Sequence, residues 1–267
     1  MFVTVNVGNT NTAAGCWQAG RLVTARRRTA SLTTERSFHR LLARLMRGGL
    51  GAEPIEGAIL ACVVPQMLGV ASRALTQFIS AAPLVLDRRL DAGIDLSGYR
   101  GLLGADRIAA CAGAAELVPG AFVVIDLGTA STVSAVDGQR HFVGGLISPG
   151  LQMSLEALAE RTAQLPPTSL EARPALFGSD TRECLVAGAV HGTAALVDGI
   201  GRAALTELGA GATVVLTGGN ARRVAPFLQI PVLREPELVM RGLAAVLRAH
   251  TGGPAVRPAP SMVNALV

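Results

Sequence analysis

The chain has 267 residues, half of them hydrophobic and 16% charged; that excludes a disordered segment and leaves room for one large core or two modest ones. Its formal net charge is +5, and every residue of the Lys+Arg class is arginine. Without lysine there is no P-loop, whose Lys reaches the β- and γ-phosphates, and 3% aromatics disfavour a nucleic-acid platform of stacked rings.

In chain order, residues 2–6 read as a strand, with 13–18 and 22–26 as antiparallel neighbours about an Ala19-Gly20 turn. The run Arg26-Arg27-Arg28 reads as a solvated strand end in preference to a nucleic-acid patch. Thr33-Thr34-Glu35 starts a helix to about Arg47, with Phe38, Leu41, Leu42 and Leu45 on one face and Gly48-Gly49 at its end. Residues 58–64 form an apolar strand stopped by Pro65; a helix over 67–80 and a short strand at 84–86 follow. A helix over 104–117 opens with Ala105-Asp106-Arg107, and Pro119-Gly120 breaks the chain into two halves.

The second half starts with a strand at 121–125 and a hairpin, 131–136 with 141–146, turning at Asp137-Gly138. Pro149 starts a helix to about Arg161, a loop runs from Leu165 to near Ser179, and Asp180 caps a long helix to about Leu208. A strand at 212–216 turns through Thr217-Gly218-Gly219-Asn220 into a helix; a short strand at 231–233 and a last helix at 237–250 complete the half. The tail from Thr251 is rich in Pro and Gly and is expected to be loose. Each half begins with a strand and a hairpin and then alternates helices and strands, an α/β pattern with one mixed sheet per half. The expected domains are 1–118 and 119–250, followed by a flexible tail at 251–267.

Cys16, Cys62, Cys111 and Cys184 show no CxxC spacing and sit among apolar or small residues, as buried thiols of a reducing compartment do. The four histidines lack zinc-ligand spacing. The start is a strand with a polar tip, not a leader peptide, and the apolar stretch 57–72 is too short to span a bilayer. The expectation is a cytoplasmic protein with no membrane partner.

One pattern occurs twice. Asn6-Val7-Gly8-Asn9-Thr10-Asn11-Thr12 and Asp126-Leu127-Gly128-Thr129-Ala130-Ser131-Thr132 both follow an apolar strand. A strand ending this way brings backbone N–H groups and hydroxyls to its tip, where Gly lets the backbone approach a phosphate closely. A carboxylate at the same place holds a cation. One copy alone reads as an ordinary turn; two in matching context point to half-domains that share a nucleotide.

This repeat resembles the acetate kinase, sugar kinase, Hsp70 and actin superfamily, whose members bind ATP with duplicated domains. Over nearly the whole chain the sequence resembles more closely the type III pantothenate kinases. Their motifs stand in order: Gly8-Asn9-Thr10, Val63-Val64-Pro65, Gly104-Ala105-Asp106-Arg107, Asp126-Leu127-Gly128-Thr129-Ala130, Gly144-Gly145-Leu146-Ile147-Ser148-Pro149-Gly150, Thr181 and Thr217-Gly218-Gly219. The resemblance implies two duplicated ribonuclease H-like (actin-like ATPase) domains, each a mixed sheet with flanking helices. It implies ATP-dependent phosphorylation of pantothenate, with Mg2+, a monovalent cation (K+ or NH4+) and a homodimer.

Carried over by position, the resemblance makes Asp106 the general base. Tyr99, Gly104, Ala105, Asp106, Arg107 and Thr181 become the substrate contacts, Arg107 gripping a carboxylate and Thr181 reaching from a neighbouring subunit. Asn6, Val7, Gly8, Asn9, Thr10, Asn11, Thr12, Ala13 and Thr129 become the ATP contacts, and Asp126 the monovalent-cation ligand. Two departures stand out. The family carries Asp where this chain has Asn6, which keeps an acceptor and loses the charge, so weaker metal binding and slower turnover are expected. Tyr99 lies closer to the Gly-x-Asp-Arg motif than the family's substrate-site Tyr. Two other readings remain at this point: a non-catalytic ligand-binding or transcription-accessory relative, and a different kinase or phosphatase of the superfamily.

Overall fold

The computed structural model describes residues 1–47, 54–79, 81–170, 173–209 and 211–252, and the backbone of 261–263. The elements run β1 (Phe2–Val7), β2 (Asn11–Gln18), β3 (Arg21–Arg28), α1 (Glu35–Met46), β4 (Gly57–Cys62), α2 (Pro65–Ile79), β5 (Leu84–Val85) and α3 (Ala105–Leu117). They continue with β6 (Phe122–Leu127), β7 (Ala130–Val136), β8 (Phe142–Pro149), α4 (Leu151–Arg161), α5 (Thr181–Leu208), β9 (Thr213–Thr217), α6 (Ala221–Val224), β10 (Val232–Arg234), α7 (Leu238–Thr251) and β11 (Ser261–Val263). Two compact units result: Met1–Leu117 with α7, and Val118–Pro236 with β11. The last helix, expected with the second half, thus lies in the first unit. Gly48-Gly49, the expected end of α1, falls outside the described residues.

In the first unit the sheet order is β3-β2-β1-β4-β5. β1 pairs antiparallel with β2 and parallel with β4. Strand alternation divides its side chains. Val3, Val5 and Val7 are fully buried in a cluster with Phe38, Leu41, Leu42 and Leu45 of α1 and Ala71, Ala74 and Leu75 of α2. Phe2, Thr4 and Asn6 take the other face, where the Thr4 hydroxyl lies 3.3 Å from Met240 Sδ of α7. The Ala19-Gly20 turn is borne out: both residues have positive φ, 46° and 80°, as a two-residue hairpin turn of this hand requires. α1 begins where expected, in a capping box: Ser37 N–H donates to Thr34 Oγ1 and Thr34 N–H to Ser37 Oγ, each 3.2 Å. Pro65 does more than stop β4; it is the first residue of α2, where its missing N–H is harmless.

α3 and α7 lie back to back in this unit. A Cβ on Gly242 would strike Ala109 O, and one on Gly113 would strike Leu238 O. The two glycines therefore let the helix backbones touch. Arg248 of α7 donates to Glu116 of α3 at 2.6 Å.

The second unit repeats the plan. Its order β11-β10-β9-β6-β7-β8, read from β8, matches the first sheet strand for strand and adds β11 antiparallel to β10. Three residues of the expected loose tail thus form a strand. Val123, Ile125 and Leu127 of β6 pack with Leu151 and Leu155 of α4 and Val186, Val190, Ala194 and Val197 of α5. Buried Asp198 of α5 accepts from Gln229 N–H (3.0 Å) and Ile230 N–H (3.2 Å), tying α5 to the segment that leads into β10. The hairpin differs from expectation in its turn. Residues 137–141 form a longer loop in which the Asp137 carboxylate accepts from Gln139 N–H (2.9 Å) and His141 N–H (2.8 Å), and Arg140, not Gly138, takes positive φ (71°). Pro149 closes β8, and α4 starts after Gly150.

Candidate active site

The first strand-tip loop, residues 8–10, joins β1 to β2. It is closed by Gly8 N–H donating to Asn11 O at 3.1 Å; a Cβ on Gly8 would sit 2.9 Å from that same oxygen. Thr29, just past β3, braces the loop twice: its N–H donates to Thr10 O (2.9 Å) and its hydroxyl to Gly8 O (2.6 Å). With the Thr29 proton spent on Gly8, the Thr12 hydroxyl is the donor in the 3.0 Å contact between the two threonines. Val7 and Thr12 are buried and support the loop from behind, while Asn9, Thr10 and Asn11 are exposed at its tip. Asn6 and Ala13 face each other across β1 and β2 on the side of the sheet that meets α7 through Thr4 and Met240. Asn6 Oδ1 is buried and, among the described residues, has no hydrogen-bond partner. An acceptor oxygen left open this way suits a hydrated cation, though an amide carries less than a carboxylate would.

Asp106 stands in the same unit. Val63 N–H, one residue past β4, donates to Val7 O at 3.0 Å. A Cβ on Gly104 would lie 3.6 Å from Val63 Cγ1 and 2.5 Å from Asp106 Oδ1. The tips of β1 and β4 are thus linked through Val63 to the opening of α3, and any side chain at position 104 would displace the Asp106 carboxylate. Gly104 O caps the helix, accepting from Arg107 N–H (3.0 Å) and Ile108 N–H (3.1 Å). Asp106 Oδ1 accepts from Arg107 N–H at 2.8 Å. Burial pushes the Asp106 carboxyl above its ordinary value, against smaller lowering effects from the Arg107 N–H and guanidinium. A carboxylate whose proton affinity is raised while it keeps an open oxygen is a competent proton acceptor. Ala105 and Arg107 are buried in this first turn.

Tyr99 is half-buried in the loop before α3. That loop is gathered by Arg88, whose guanidinium donates to Gly101 O (2.8 Å), Tyr99 O (3.3 Å) and Leu96 O (3.4 Å). Sequence reasoning passed over Arg88 and Thr29; their signal was position alone, one shortly after a strand and the other closing an arginine run.

The second unit repeats the strand-tip arrangement. Gly128 N–H donates to Ala130 O (3.2 Å), and Gly150 N–H, just past β8, braces Thr129 O (3.2 Å) as Thr29 braces Thr10. Thr129 is exposed at the tip. Gly218 (φ 96°) has no room for a Cβ beside Asp126 Oδ1 and the Leu127 backbone. Asn220 clamps the loop, donating from its backbone to Leu127 O (3.0 Å) and from its side chain to Gly128 O (3.4 Å). The glycine-rich turn after β9 therefore packs directly on Asp126. Thr181 opens α5 behind Asp180, whose side chain accepts from Glu183 N–H at 2.9 Å. It lines a cavity of about 460 Å³ with Ser148, Ser154, Leu155, Leu185 and Thr193.

Residues 2–203 match the family model described as type III pantothenate kinase. A type III pantothenate kinase of Moorella thermoacetica is 33% identical over 255 residues, covering 94% of this chain and all of that protein. One from Parafrankia sp. is 34% identical over 253 residues, covering 94% of this chain and 99% of that protein. Among solved structures, the activator of 2-hydroxyisocaproyl-CoA dehydratase from Clostridium difficile, with bound ADPNP, has a TM-score of 0.52 at 13% identity, covering 96% of this chain and 99% of that one. That last likeness is one of fold, and with the duplicated sheet order it identifies the expected actin-like ATPase architecture.

Proposed function

This chain belongs to the type III pantothenate kinase family, and on that premise we propose that it transfers the γ-phosphoryl group of ATP to the primary hydroxyl of pantothenate. The product is 4'-phosphopantothenate, and the reaction opens coenzyme A biosynthesis. The observation that carries the reading is Asp106: a half-buried carboxylate opening α3, held beside the β1 and β4 tips, in a chain that matches the family from residue 2 to 203.

In this reading Asp106 accepts the hydroxyl proton as the oxygen attacks phosphorus, and its raised proton affinity suits that step. Positioning and charge neutralisation do most of the work in phosphoryl transfer. Gly104, Ala105 and Tyr99 shape the substrate contact, and Arg107 offers a planar fork to the pantothenate carboxylate. The 6–13 segment and Thr129 hold the phosphates through backbone N–H groups and hydroxyls. Mg2+, when bound, neutralises charge on the phosphates; Asn6 Oδ1 is the acceptor available to its hydration shell, and the missing carboxylate weakens its hold. Asp126 holds a monovalent cation, K+ or NH4+, and Gly218 leaves its carboxylate the room that a Cβ would take.

A homodimer completes the site, with Thr181 contributed by the neighbouring subunit. The exposed apolar side chains of the edge strand β8, with Ile147 69% and Leu146 50% exposed, support such a contact. We place the protein in the cytoplasm with no membrane partner. A coupled assay with ATP, Mg2+, K+ and pantothenate is expected to yield ADP in proportion to pantothenate consumed. No turnover, even in the Asn6→Asp variant, overturns the proposal.

A further inference from the structure

We infer that Arg28 is the cationic phosphate contact of the first strand-tip loop, supplying the positive charge that a lysine supplies in other nucleotide sites. The inference rests on the ATP reading above and assigns a residue that none of the motifs contains.

Strand register sets Arg28 beside the loop. β2 and β3 are antiparallel, with Asn11 opposite Arg28, Thr12 opposite Arg27 and Ala13 opposite Arg26. Paired strands run about 4.8 Å apart, so Arg28 borders the loop as closely as a neighbouring strand can. The next residue is Thr29, whose N–H and hydroxyl hold the loop shut. Strand alternation then sorts the three arginines. Ala13 opposes Asn6, so Asn6, Asn11, Arg26 and Arg28 share one face of the sheet and Arg27 takes the other.

The two flanking arginines are engaged elsewhere. Arg26 donates to Glu237 Oε1 at 2.7 Å, and Arg27 Nη1 donates to Arg26 O at 3.0 Å. Arg28 is exposed, and among the described residues its guanidinium makes no hydrogen bond or ion pair; only its backbone oxygen is used, accepting from Ser31 Oγ at 2.7 Å. A triphosphate over this loop meets uncharged polar groups at Asn9, Thr10 and Asn11, and the chain has no lysine. Arg28 brings a fork of N–H donors with a fixed positive charge to that edge, which suits two phosphate oxygens at once.

Calorimetric titration of ADP and of adenosine, in Mg2+, tests the assignment. Arg28→Gln is expected to weaken ADP binding about tenfold to a hundredfold, the range of a charge-assisted hydrogen bond, and to leave adenosine binding unchanged. Arg28→Lys restores part of the loss, and Arg27→Gln binds ADP as the parent does. A thermal melt matching the parent shows that Arg28→Gln is folded. ADP affinity unchanged in Arg28→Gln, or an equal loss for adenosine, overturns the inference while leaving the kinase reading intact. A parent protein that binds no adenine nucleotide and phosphorylates no pantothenate overturns both.

Discussion

Asp106 carries two signatures that separate chemistry from structure. Its folded-state proton affinity is raised by burial, so ionisation is harder in the folded chain than in the unfolded one. Below the ordinary carboxylate value of about 3.8 the group is protonated in both states and has no effect on stability. As pH rises past the unfolded and then the folded value, the buried charge destabilises the fold by an amount that then stays constant. Asp106→Asn is therefore expected to melt higher than the parent at pH 7 to 8, with the gap closing in acid; equal melting temperatures across the range contradict the burial argument. Asn6 is the converse case. Asn6→Asp should lower the Mg2+ concentration for half-maximal rate by about tenfold, because a carboxylate binds a hard cation more tightly than an amide does; an unchanged Mg2+ dependence removes position 6 from the metal site. Both residues were legible in the sequence because their motifs are local. Arg88 was not: its three carbonyl contacts lie 8 to 13 residues away along a loop without periodicity.

α3 presents Asp106, and α7 sets where α3 lies. Gly242 leaves no space for a Cβ against Ala109 O, so Gly242→Ala must part the helices. A loss of about 1–3 kcal/mol, the usual range for overpacking, is expected in urea denaturation, together with reduced turnover as Asp106 shifts. A variant as stable and active as the parent would show that the close crossing is not required. Elements with local signals were readable: the capping box of α1, the positive-φ pair at Ala19 and Gly20, and Asp180 at the start of α5. Asp137-Gly138 misled because the Asp137 carboxylate captures nearby N–H groups and opens a longer loop. Pro149 misled because proline suits a strand end as well as a helix start.

Across the molecule, the duplication was legible from two short motifs, and the matching strand orders express it. The return of α7 to the first unit was not, since sequence order does not say which sheet a terminal helix covers; the small residues at 113 and 242 were its only trace. α5 shows a related ambiguity. It is 28 residues long and holds an 18-residue stretch of mean hydropathy 1.4, which would allow a membrane span, yet its Val186, Val190 and Val197 and the buried Asp198 serve the core of the second unit. The apolar edge at β8 is the surface proposed for a second copy. Sedimentation equilibrium should find a dimer that Ile147→Lys shifts toward monomer with loss of activity, and a monomeric parent would contradict that assignment.

Single-turnover phosphoryl transfer, followed by phosphorus NMR of the product, is the sharpest test that this chain phosphorylates pantothenate through Asp106. With ATP, Mg2+, K+ and pantothenate, the parent should give a phosphomonoester on the primary hydroxyl. Asp106→Asn should slow that transfer by about two orders of magnitude or more while still binding ADP. Transfer at the parental rate in Asp106→Asn, or no phosphomonoester from the parent, contradicts it.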